Sequence, residues 1–429
     1  LYPVFTELLN RNKLEQVFEL EMGALPAVTE CEVSGMPINI PTLNATFHKQ
    51  QETQAEIFTK LKREAWNCAG VGNFNPYNTQ QINSILGRYR IPTHNLTDEL
   101  LANAGQELPF AKLLLSYRQV HRDFTLLRSW LDAVHPADSR IHTTYVQLLP
   151  NATGRLSSRS PSLQQLPHNT EYRGLFEAPA DNVFIDADYA AIELRIAASR
   201  TQDENMRSTF MNGHDLHKLT AAAFTGKSID LITPEERNLG KLANFKLLYG
   251  SSTKTLMEFA SLQGSQLTQT KAMGLRSAFF RKYPAVKAYH RNKCDAKKNK
   301  VDFHFHTAEA GFQKMTLTGV RTASGRLRVW PDYNGSSCAS FNELANTPIQ
   351  GTGADILKRA MALIYKALLD KDWNDVRIIN NIHDQLTIEA PKVKEDEIRS
   401  MLQTAMETAG KEFIDVPLVV DIDICQSLS

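Results

Sequence analysis

Two short segments place carboxylates where predicted strands end. In VFIDADY, the alternation of an extended chain puts Asp186 and Asp188 on one face. In RIINNIHDQLTIEA, two apolar runs meet at His383, Asp384 and Gln385, as at the tip of a hairpin. If this hairpin packs beside the first strand, Asp188 and Asp384 converge and supply oxygen ligands for two Mg²⁺ ions. Each segment alone also fits an ordinary strand end or a polar turn.

A third segment predicts a helix with one chemically distinct face. Thr233, Pro234 and Glu236 match an N-cap, a proline at the first helical position and a capping-box glutamate. After this start, residues four apart form a stripe that is cationic for two turns and aromatic for two: Arg237, Lys241, Phe245 and Tyr249. The stripe fits a nucleoside triphosphate, with its phosphates against the cations and its sugar and base against the rings. A surface helix with an aromatic core edge is the alternative.

Composition defines the kind of chain that carries these segments. Its 429 residues, 42% hydrophobic and 22% charged, are typical of a soluble globular chain with about three domains or several lobes. The net charge of +1 means that an anionic partner must be met by locally clustered charge. No apolar stretch reaches the roughly 18 residues of a membrane span, so we expect no membrane partner. The five cysteines lack a CxxC pair, which predicts buried thiols in a reducing, intracellular compartment.

Changes of periodicity predict the order of the elements. Residues 79–134 indicate a helical lobe, and its basic side consists of Arg118, Arg122 and Arg128. A polar, loop-like stretch then leads into the strand before DADYAAIELR, and residues 206–300 are again helical. The final third combines a long helix, ADILKRAMALIYKALL, with the strand-like runs VRIINNIHDQLTIEA and PLVVDIDI. We therefore predict an α+β palm flanked by helical lobes.

These segments together resemble the polymerase region of the A-family DNA polymerases, a group that contains bacterial DNA polymerase I and several phage replicative enzymes. DADYAAIELR is similar to the first catalytic motif of that family, RNLGKLANFKLLYG to its fingers-helix motif and IHDQL to its second catalytic motif. Further similar segments follow in the family's order: TGRLSSRSPSLQQLP, DLHKLTAAAFTG, RKYPAVKAY and NTPIQGTGADILKRAM. The resemblance runs from about Leu25 to the C-terminus. It implies a right-hand polymerase with an antiparallel-sheet palm and a mostly helical thumb and fingers.

The resemblance also implies how the chain divides. The implied ranges are a junction remnant at 1–25, an N-terminal part of the palm at 26–58, the thumb at 59–150, palm with the first catalytic motif at 151–205, the fingers at 206–305 and palm with the second catalytic motif at 306–429. An exonuclease domain of roughly 150 residues does not fit upstream of the matched region. We therefore expect any exonuclease or other upstream domain in a longer parent chain.

For the reaction, the resemblance implies a template-directed DNA polymerase that adds dNMP to a primer 3′-hydroxyl and releases pyrophosphate, in DNA replication or repair. Asp188, Asp384 and the backbone carbonyl of Tyr189 would hold two metal ions, Mg²⁺ with Mn²⁺ as the alternative. Lys241 would neutralise the triphosphate and protonate the departing pyrophosphate. The implied partners are primer-template DNA and dNTPs, and the resemblance gives no accessory subunit.

The remaining site residues are also carried over from the resemblance. Arg237 and His217 would contact the phosphates, and Phe245 would pack beside the sugar. Glu193 would close off the space that a ribose 2′-hydroxyl needs, and Tyr249 would occupy the template-base position in the open state. The implied DNA contacts are Arg155, Gln350, Asn346, His383 and Arg118. Capping is the interpretation that we favour for Asn346, because the nearby Pro348 disturbs a helix.

Several positions depart from the family pattern. Gln385 stands where many members have Glu, so one acidic group near the metals is missing, and Asp186 is the residue that would restore charge locally. Ala190 and Ala191 stand where Ser and Gln are usual, and Asn342 stands where an Arg is common. These changes suggest a divergent branch from a phage, a plasmid or an organelle. The expected location is then a bacterial or host cytoplasm, or an organelle.

Two alternative functions stay open. A single-subunit RNA polymerase shares a palm and a His-Asp hairpin, but a ribonucleotide enzyme should lack the steric exclusion expected from Glu193 and Phe245. A primer-template binding protein with impaired catalysis is considered because of Gln385. Retention of Asp188 and Asp384 favours an active enzyme over that binding protein.

Overall fold

A computed structural model of the chain describes residues 2–93, 96–148, 153–167, 169–262, 267–333 and 336–428. Its helices are α1 (Tyr2–Asn12), α2 (Glu15–Ser34), α3 (Ile40–Ala69), α4 (Thr79–Arg88), α5 (Asp98–Ala104), α6 (Pro109–Ala133), α7 (Thr170–Arg173), α8 (Ile192–Thr201), α9 (Glu204–Met211), α10 (Leu216–Thr225), α11 (Pro234–Leu248), α12 (Thr253–Leu262), α13 (Gln269–Lys282), α14 (Pro284–Lys293), α15 (Phe341–Asp370) and α16 (Glu395–Lys411).

The strands form antiparallel sheets. They are β1 (Met36–Pro37), β2 (Val134–His135), β3 (Arg140–Ile141), β4 (Thr144–Val146), β5 (Ser157–Arg159), β6 (Asn182–Tyr189), β7 (Lys300–Thr307), β8 (Gly311–Arg321), β9 (Leu327–Trp330), β10 (Asp332–Tyr333), β11 (Ser336–Ser337), β12 (Arg377–Ile382), β13 (Gln385–Pro391) and β14 (Val420–Cys425). This mixture of helices and antiparallel sheets matches the predicted α+β class.

The chain divides into two compact units. The first comprises Leu1–Gly35, Thr143–Leu166 and Ala178–Ser427, and the second comprises Met36–His142, Pro167–Glu177 and Leu428–Ser429. The predicted boundary between residues 58 and 59 falls inside α3, and the second unit begins at Met36. The predicted boundary at residues 150 and 151 lies outside the described residues.

The central sheet of the first unit has the strand order β12-β13-β6-β14. Alternation along β6 buries Ile185, Ala187 and Tyr189, which join the main hydrophobic core with residues of α8, α15 and α16. The opposite face of β6 carries Asp186 and Asp188. Phe184 is buried on that face as well, so only the end of the strand that carries the two acids is left for polar chemistry.

Helix α15 crosses the first unit without a break. It begins with a capping box between Ser340 and Glu343 and continues through Pro348, which is buried together with Ile349. The packing of these residues holds the helix although a proline removes one backbone hydrogen bond. Asn346 therefore lies inside α15, and the interpretation of Asn346 as a capping residue is wrong.

A buried group of charges joins α2 to α15. Lys358 is 1% exposed and donates to both carboxylate oxygens of Glu21 at 2.7 and 2.9 Å. Arg326 also contacts Glu21 and lies 2.7 Å from Asp355. Each of these four charges has a partner, so none of them is left uncompensated in the interior, where removal of one partner would be strongly destabilising. Part of the predicted junction remnant thus contributes Glu21 to the interior of the first unit.

Two expectations about the whole chain can be compared with the structure. Within the described ranges, no helix combines the length and the apolar character that crossing a bilayer requires. The five cysteines are free. Cys31 and Cys294 are buried, but Cys338 is exposed on the segment before α15, so the expectation that all five are buried is wrong.

Candidate active site

The candidate active site is built on β6, which pairs with β13 on one side and β14 on the other. Gln385 of β13 lies opposite Asp188, and Asp421 of β14 lies opposite Asp188 on the other side. The turn before β13 consists of His383 and Asp384, with His383 in the left-handed region at a φ of 57°. The register therefore brings Asp384 to Asp188, as the hairpin hypothesis requires.

The electrostatics of these carboxylates favour a cation. Desolvation by the surrounding chain, followed by the charges of Asp384 and Asp186, raises the pKa of the Asp188 carboxyl to about 7. Desolvation also raises the pKa of Asp384, whereas the charge of Arg155 acts to lower it. Neighbouring carboxylates repel each other, and a divalent cation between or beside them removes that repulsion.

Asp186, the other acid on this face of β6, is held by β13. Thr387 Oγ1 donates to Asp186 Oδ1 at 2.8 Å, and Gln385 Nε2 donates to Asp186 Oδ2. Asp186 also contributes to the negative potential that raises the pKa of Asp188. The structure thus places a carboxylate beside the residue that departs from the family pattern, and Gln385 orients that carboxylate.

Helix α11 carries the predicted stripe and is fixed against α10. Arg237 Nε donates to Asp215 Oδ2 at 2.7 Å. Asp215 is the N-cap of α10 and accepts from the backbone N–H groups of His217 and Lys218 at 2.8 and 3.1 Å. Although desolvation acts in the opposite direction, Arg237 and these backbone groups hold the pKa of Asp215 below its ordinary value. One turn after Arg237, Lys241 is exposed.

His217 is a neutral hydrogen-bond donor in this arrangement. Asn244 Nδ2 donates to His217 Nδ1 at 2.9 Å, and Thr220 Oγ1 donates to Asn244 Oδ1 at 2.7 Å. Burial lowers the pKa of His217 to about 4; the charge of Asp215 acts to raise it, and the charges of Arg237 and Lys241 act to lower it. Since Nδ1 accepts, Nε2 carries the proton. The ring of Phe245 lies 5.8 Å from the His217 ring, which keeps the two predicted nucleotide contacts together.

The close approach of α10 and α11 depends on a glycine. A Cβ atom at Gly240 would lie 2.2 Å from the backbone carbonyl oxygen of His217. Any side chain there would push the two helices apart. Gly240 therefore lets α11, which carries Lys241, lie close to His217 on α10.

Glu193, at the start of α8, is a shared hydrogen-bond acceptor. Arg155 Nη2 donates to Glu193 Oε1 at 2.9 Å, and Tyr249 Oη donates to Glu193 Oε2. The Glu193 side chain is only 15% exposed, so it is not a solvated surface residue. Burial and then the charge of Glu193 raise the pKa of Tyr249, which remains a phenol donor. Arg155 also lies close enough to His383 to lower its pKa, after burial.

Three further predicted residues lie in the first unit. Asn346 and Gln350 are on α15, where both are half-buried, and Asn346 Oδ1 is buried without a hydrogen-bond partner among the described residues. Tyr189 turns its side chain into the core and donates from Oη to the Met406 carbonyl at 2.8 Å. Its side chain is therefore not part of the site, and the role of its backbone carbonyl as a metal ligand stays a prediction.

Arg118 belongs to the second unit, on α6. It lies 3.8 Å from Asp98, which also pairs with Arg122 at 3.0 Å. Arg128 pairs with Asp132 at 3.0 Å. The basic side of this helix is therefore partly neutralised by acids of the same unit, and its contact with DNA phosphates stays a prediction.

Sequence reasoning missed supporting residues in both parts of the site. Asp421 and Asp423 on β14 lie opposite Asp188 and Asp186 on β6, and the alternation in PLVVDIDI is the signal that could have found them. Asp215 precedes a helical run, as an N-cap does. Asn244 has no such signal, because its role depends on the side chain of another helix.

Residues 44–429 match the model of the family described as DNA polymerase family A. The chain belongs to DNA polymerase family A. It is 30% identical to DNA polymerase I of Aquifex aeolicus (strain VF5), over 98% of this chain and 72% of that protein. It is also 30% identical to DNA polymerase I of Caldicellulosiruptor bescii, over 98% of this chain and 48% of that protein. The chain thus spans about half the length of the second relative.

The fold of this family A chain is similar to that of a solved polymerase. The POL domain of Pol1 from M. smegmatis, in complex with DNA primer-template and dNTP, superimposes with a TM-score of 0.82 at 26% sequence identity. The similarity covers 98% of this chain and 72% of that chain. These comparisons confirm the predicted family, the DNA-directed DNA polymerase class and the α+β polymerase fold.

Neutralising Asp188 should stabilise the metal-free protein in a pH-dependent way. Its folded pKa of about 7 exceeds the ordinary value of 3.8, so its ionised form destabilises the fold fully above pH 7 and not at all below pH 3.8. Asp188→Asn should therefore raise the Tm in Mg²⁺-free buffer at pH 8 and raise it less at pH 5.

The matched control is Asp181→Asn, at the exposed turn before β6. Thermal unfolding should show no comparable gain for it, and Mg²⁺ should raise the Tm of the wild type but not of Asp188→Asn. An equal gain at both pH values, or an equal Mg²⁺ response in both proteins, would contradict the electrostatic account.

Adding one methyl group at Gly240 should separate α10 from α11. Gly240→Ala should cost about 1–3 kcal/mol of unfolding free energy through overpacking and should slow nucleotide incorporation. In Gly87→Ala, the added Cβ meets nothing within 4 Å on α4, so this control should be neutral or more stable by up to about 1 kcal/mol. Denaturant unfolding measures the free energy of unfolding, and primer extension measures the rate of incorporation. Equal stability and equal rates in Gly240→Ala and Gly87→Ala would refute the role of Gly240 in the close approach of the helices.

Proposed function

We propose that this chain extends a DNA primer along a template by two-metal nucleotidyl transfer, with Asp188 and Asp384 as the carboxylates that hold the metals. The observation that carries the proposal is the convergence of these two acids at the end of β6, together with the raised pKa of Asp188. The relatives are DNA polymerases I, and the structural neighbour was solved with primer-template and dNTP. The proposal concerns the polymerase reaction alone.

The donor set suits Mg²⁺ or Mn²⁺. Both prefer oxygen ligands, and the side chains on this face of the sheet are carboxylates and an amide rather than thiols or clustered imidazoles. Asp188, Asp384 and the backbone carbonyl of Tyr189 would hold the ions. When bound, they supply Lewis-acid stabilisation of phosphate charge and lower the pKa of the attacking primer hydroxyl.

The chain's own cations account for the triphosphate end of the substrate. Lys241 extends into solvent from a helix that is fixed by Gly240 and by the Arg237–Asp215 ion pair. From that position it neutralises the phosphates and donates a proton to the leaving pyrophosphate. His217 adds an uncharged Nε2–H donor, and Arg237 adds a second cation once the phosphates compete with Asp215.

Glu193 supplies the selection of deoxyribonucleotides. Arg155 and Tyr249 both hold its carboxylate, so it stays at the start of α8 instead of moving into water. A fixed carboxylate in the space that a ribose 2′-hydroxyl would need excludes that hydroxyl sterically. If Tyr249 moves out of the template-base position, it must break its hydrogen bond to Glu193. Insertion of the template base is therefore coupled to the residue that selects the sugar.

Primer extension tests the proposed reaction. With Mg²⁺ and a labelled primer-template, wild-type protein should add templated dNMPs and discriminate against rNTPs. Asp384→Asn should lose at least about a hundredfold in rate, because a principal metal carboxylate is removed. Duplex binding without incorporation by the wild type would favour the binding-protein alternative, and efficient use of rNTPs would favour an RNA polymerase.

Lys241 should act on rate more than on DNA binding. Lys241→Ala should reduce kcat/KM for dNTP by about 10²–10³-fold, while the Kd for primer-template changes little. Lys246→Ala is the control, since Lys246 lies on the same helix with its Nζ over the Phe259 ring, 3.2 Å from the centroid. Single-turnover incorporation and DNA titration separate the two quantities, and equal losses in both would remove the proposed role.

Shortening Glu193 should relax sugar discrimination. Glu193→Ala should raise relative ribonucleotide incorporation by about tenfold or more, whereas Glu193→Gln, which keeps the size, should retain most discrimination. Competitive incorporation of matched dNTP and rNTP pairs gives the ratio. If Glu193→Ala discriminates like the wild type, the steric role is refuted.

A further inference from the structure

A hairpin in the second unit gathers three metal-ligating side chains. His135 ends β2, Asp138 lies in the turn and His142 follows β3. The Nδ1 of His135 is 3.4 Å from one Asp138 carboxylate oxygen, and the Nε2 of His142 is 3.0 Å from the other. The ligand atoms of the three residues all lie within 4.8 Å of one another.

The hairpin backbone builds this arrangement. Ser139 N–H donates to the His135 carbonyl at 3.0 Å, and Ser139 adopts a left-handed φ of 60° that closes the turn. The backbone N–H of Arg140 donates to Asp138 Oδ1 at 3.1 Å, which orients the carboxylate between the two rings. The cluster is therefore placed by local geometry and lies wholly within one compact unit.

The chemistry of the three groups suits a transition-metal ion. Two imidazoles and one carboxylate are a common zinc ligand set, with bond lengths of about 2.0–2.2 Å. Tetrahedral ligands at such distances lie roughly 3.3–3.5 Å apart, which compares with 3.4 and 3.0 Å for the two nitrogen–oxygen pairs and at most 4.8 Å between any two ligand atoms of the cluster.

We propose that His135, Asp138 and His142 bind one Zn²⁺ ion, with water as the fourth ligand. The exposed fractions of the three side chains are 55%, 39% and 30%, so the ion has access and a fourth position faces solvent. Imidazole nitrogen selects Zn²⁺ over Mg²⁺, which keeps this site apart from the carboxylates of β6. Binding displaces any proton from the coordinating nitrogens and links the two ends of the hairpin.

A hydrogen-bonded cluster without metal would have the same residues in contact, so the test must count ions. The 429-residue chain is freed of metal by chelation and dialysed against limiting Zn²⁺ with excess Mg²⁺. We expect one bound Zn²⁺ per chain in the wild type and also in Asp188→Asn, which removes a carboxylate of the other site. The His135→Gln, His142→Gln and Asp138→Asn variants should each bind at least about tenfold more weakly.

His306→Gln is the matched control, because His306 and His304 lie on β7 without a third ligand in a described cluster. It should bind Zn²⁺ like the wild type. Co²⁺ should give the intense visible absorption of a tetrahedral site in the wild type and lose it in His142→Gln. No Zn²⁺ retained by the wild type, or undiminished binding in all three ligand variants, would overturn the proposal.

Discussion

The pairing of β6 between β13 and β14 is the constraint on which the active site depends. Its register sets Asp188 beside Asp384 and between residues 385 and 421. Because side chains alternate along a strand, a shift of one residue would bury these acids and expose the core. The buried Ile185 and Ala187 therefore fix the position of the carboxylates as firmly as they stabilise the sheet. Packing on the opposite face of the sheet therefore holds the carboxylates together against their mutual repulsion.

The cationic part of the site depends on the close contact between α10 and α11. A single missing Cβ at Gly240 lets α11 lie against α10, and Asp215 then connects the start of α10 to Arg237. His217 stays neutral because it is buried, so the phosphate contacts combine two cations with an uncharged donor. The carboxylate and cation groups are thus prepared separately, by strand register and by helix contact.

The features of the site that could be predicted from the sequence are those with a signal in one local segment. The alternation in VFIDADY and the cap at Thr233 predicted the strand face and the helix that the structure contains. Asn346 was misinterpreted because a proline argued for a helix end, whereas burial of Pro348 and its neighbours keeps α15 continuous. Contacts such as Gln385 with Asp186, or Asn244 with His217, join distant segments and could not be read from either segment alone.

The central claim is that Asp188 and Asp384 jointly hold the metals in the reacting complex. Its most direct test is the number of Mn²⁺ ions bound, by electron paramagnetic resonance, in a complex of the protein with a dideoxy-terminated primer-template and the matching dNTP. The account predicts two ions per complex for the wild type and fewer for both Asp188→Asn and Asp384→Asn. Wild-type stoichiometry and affinity in both variants would contradict it.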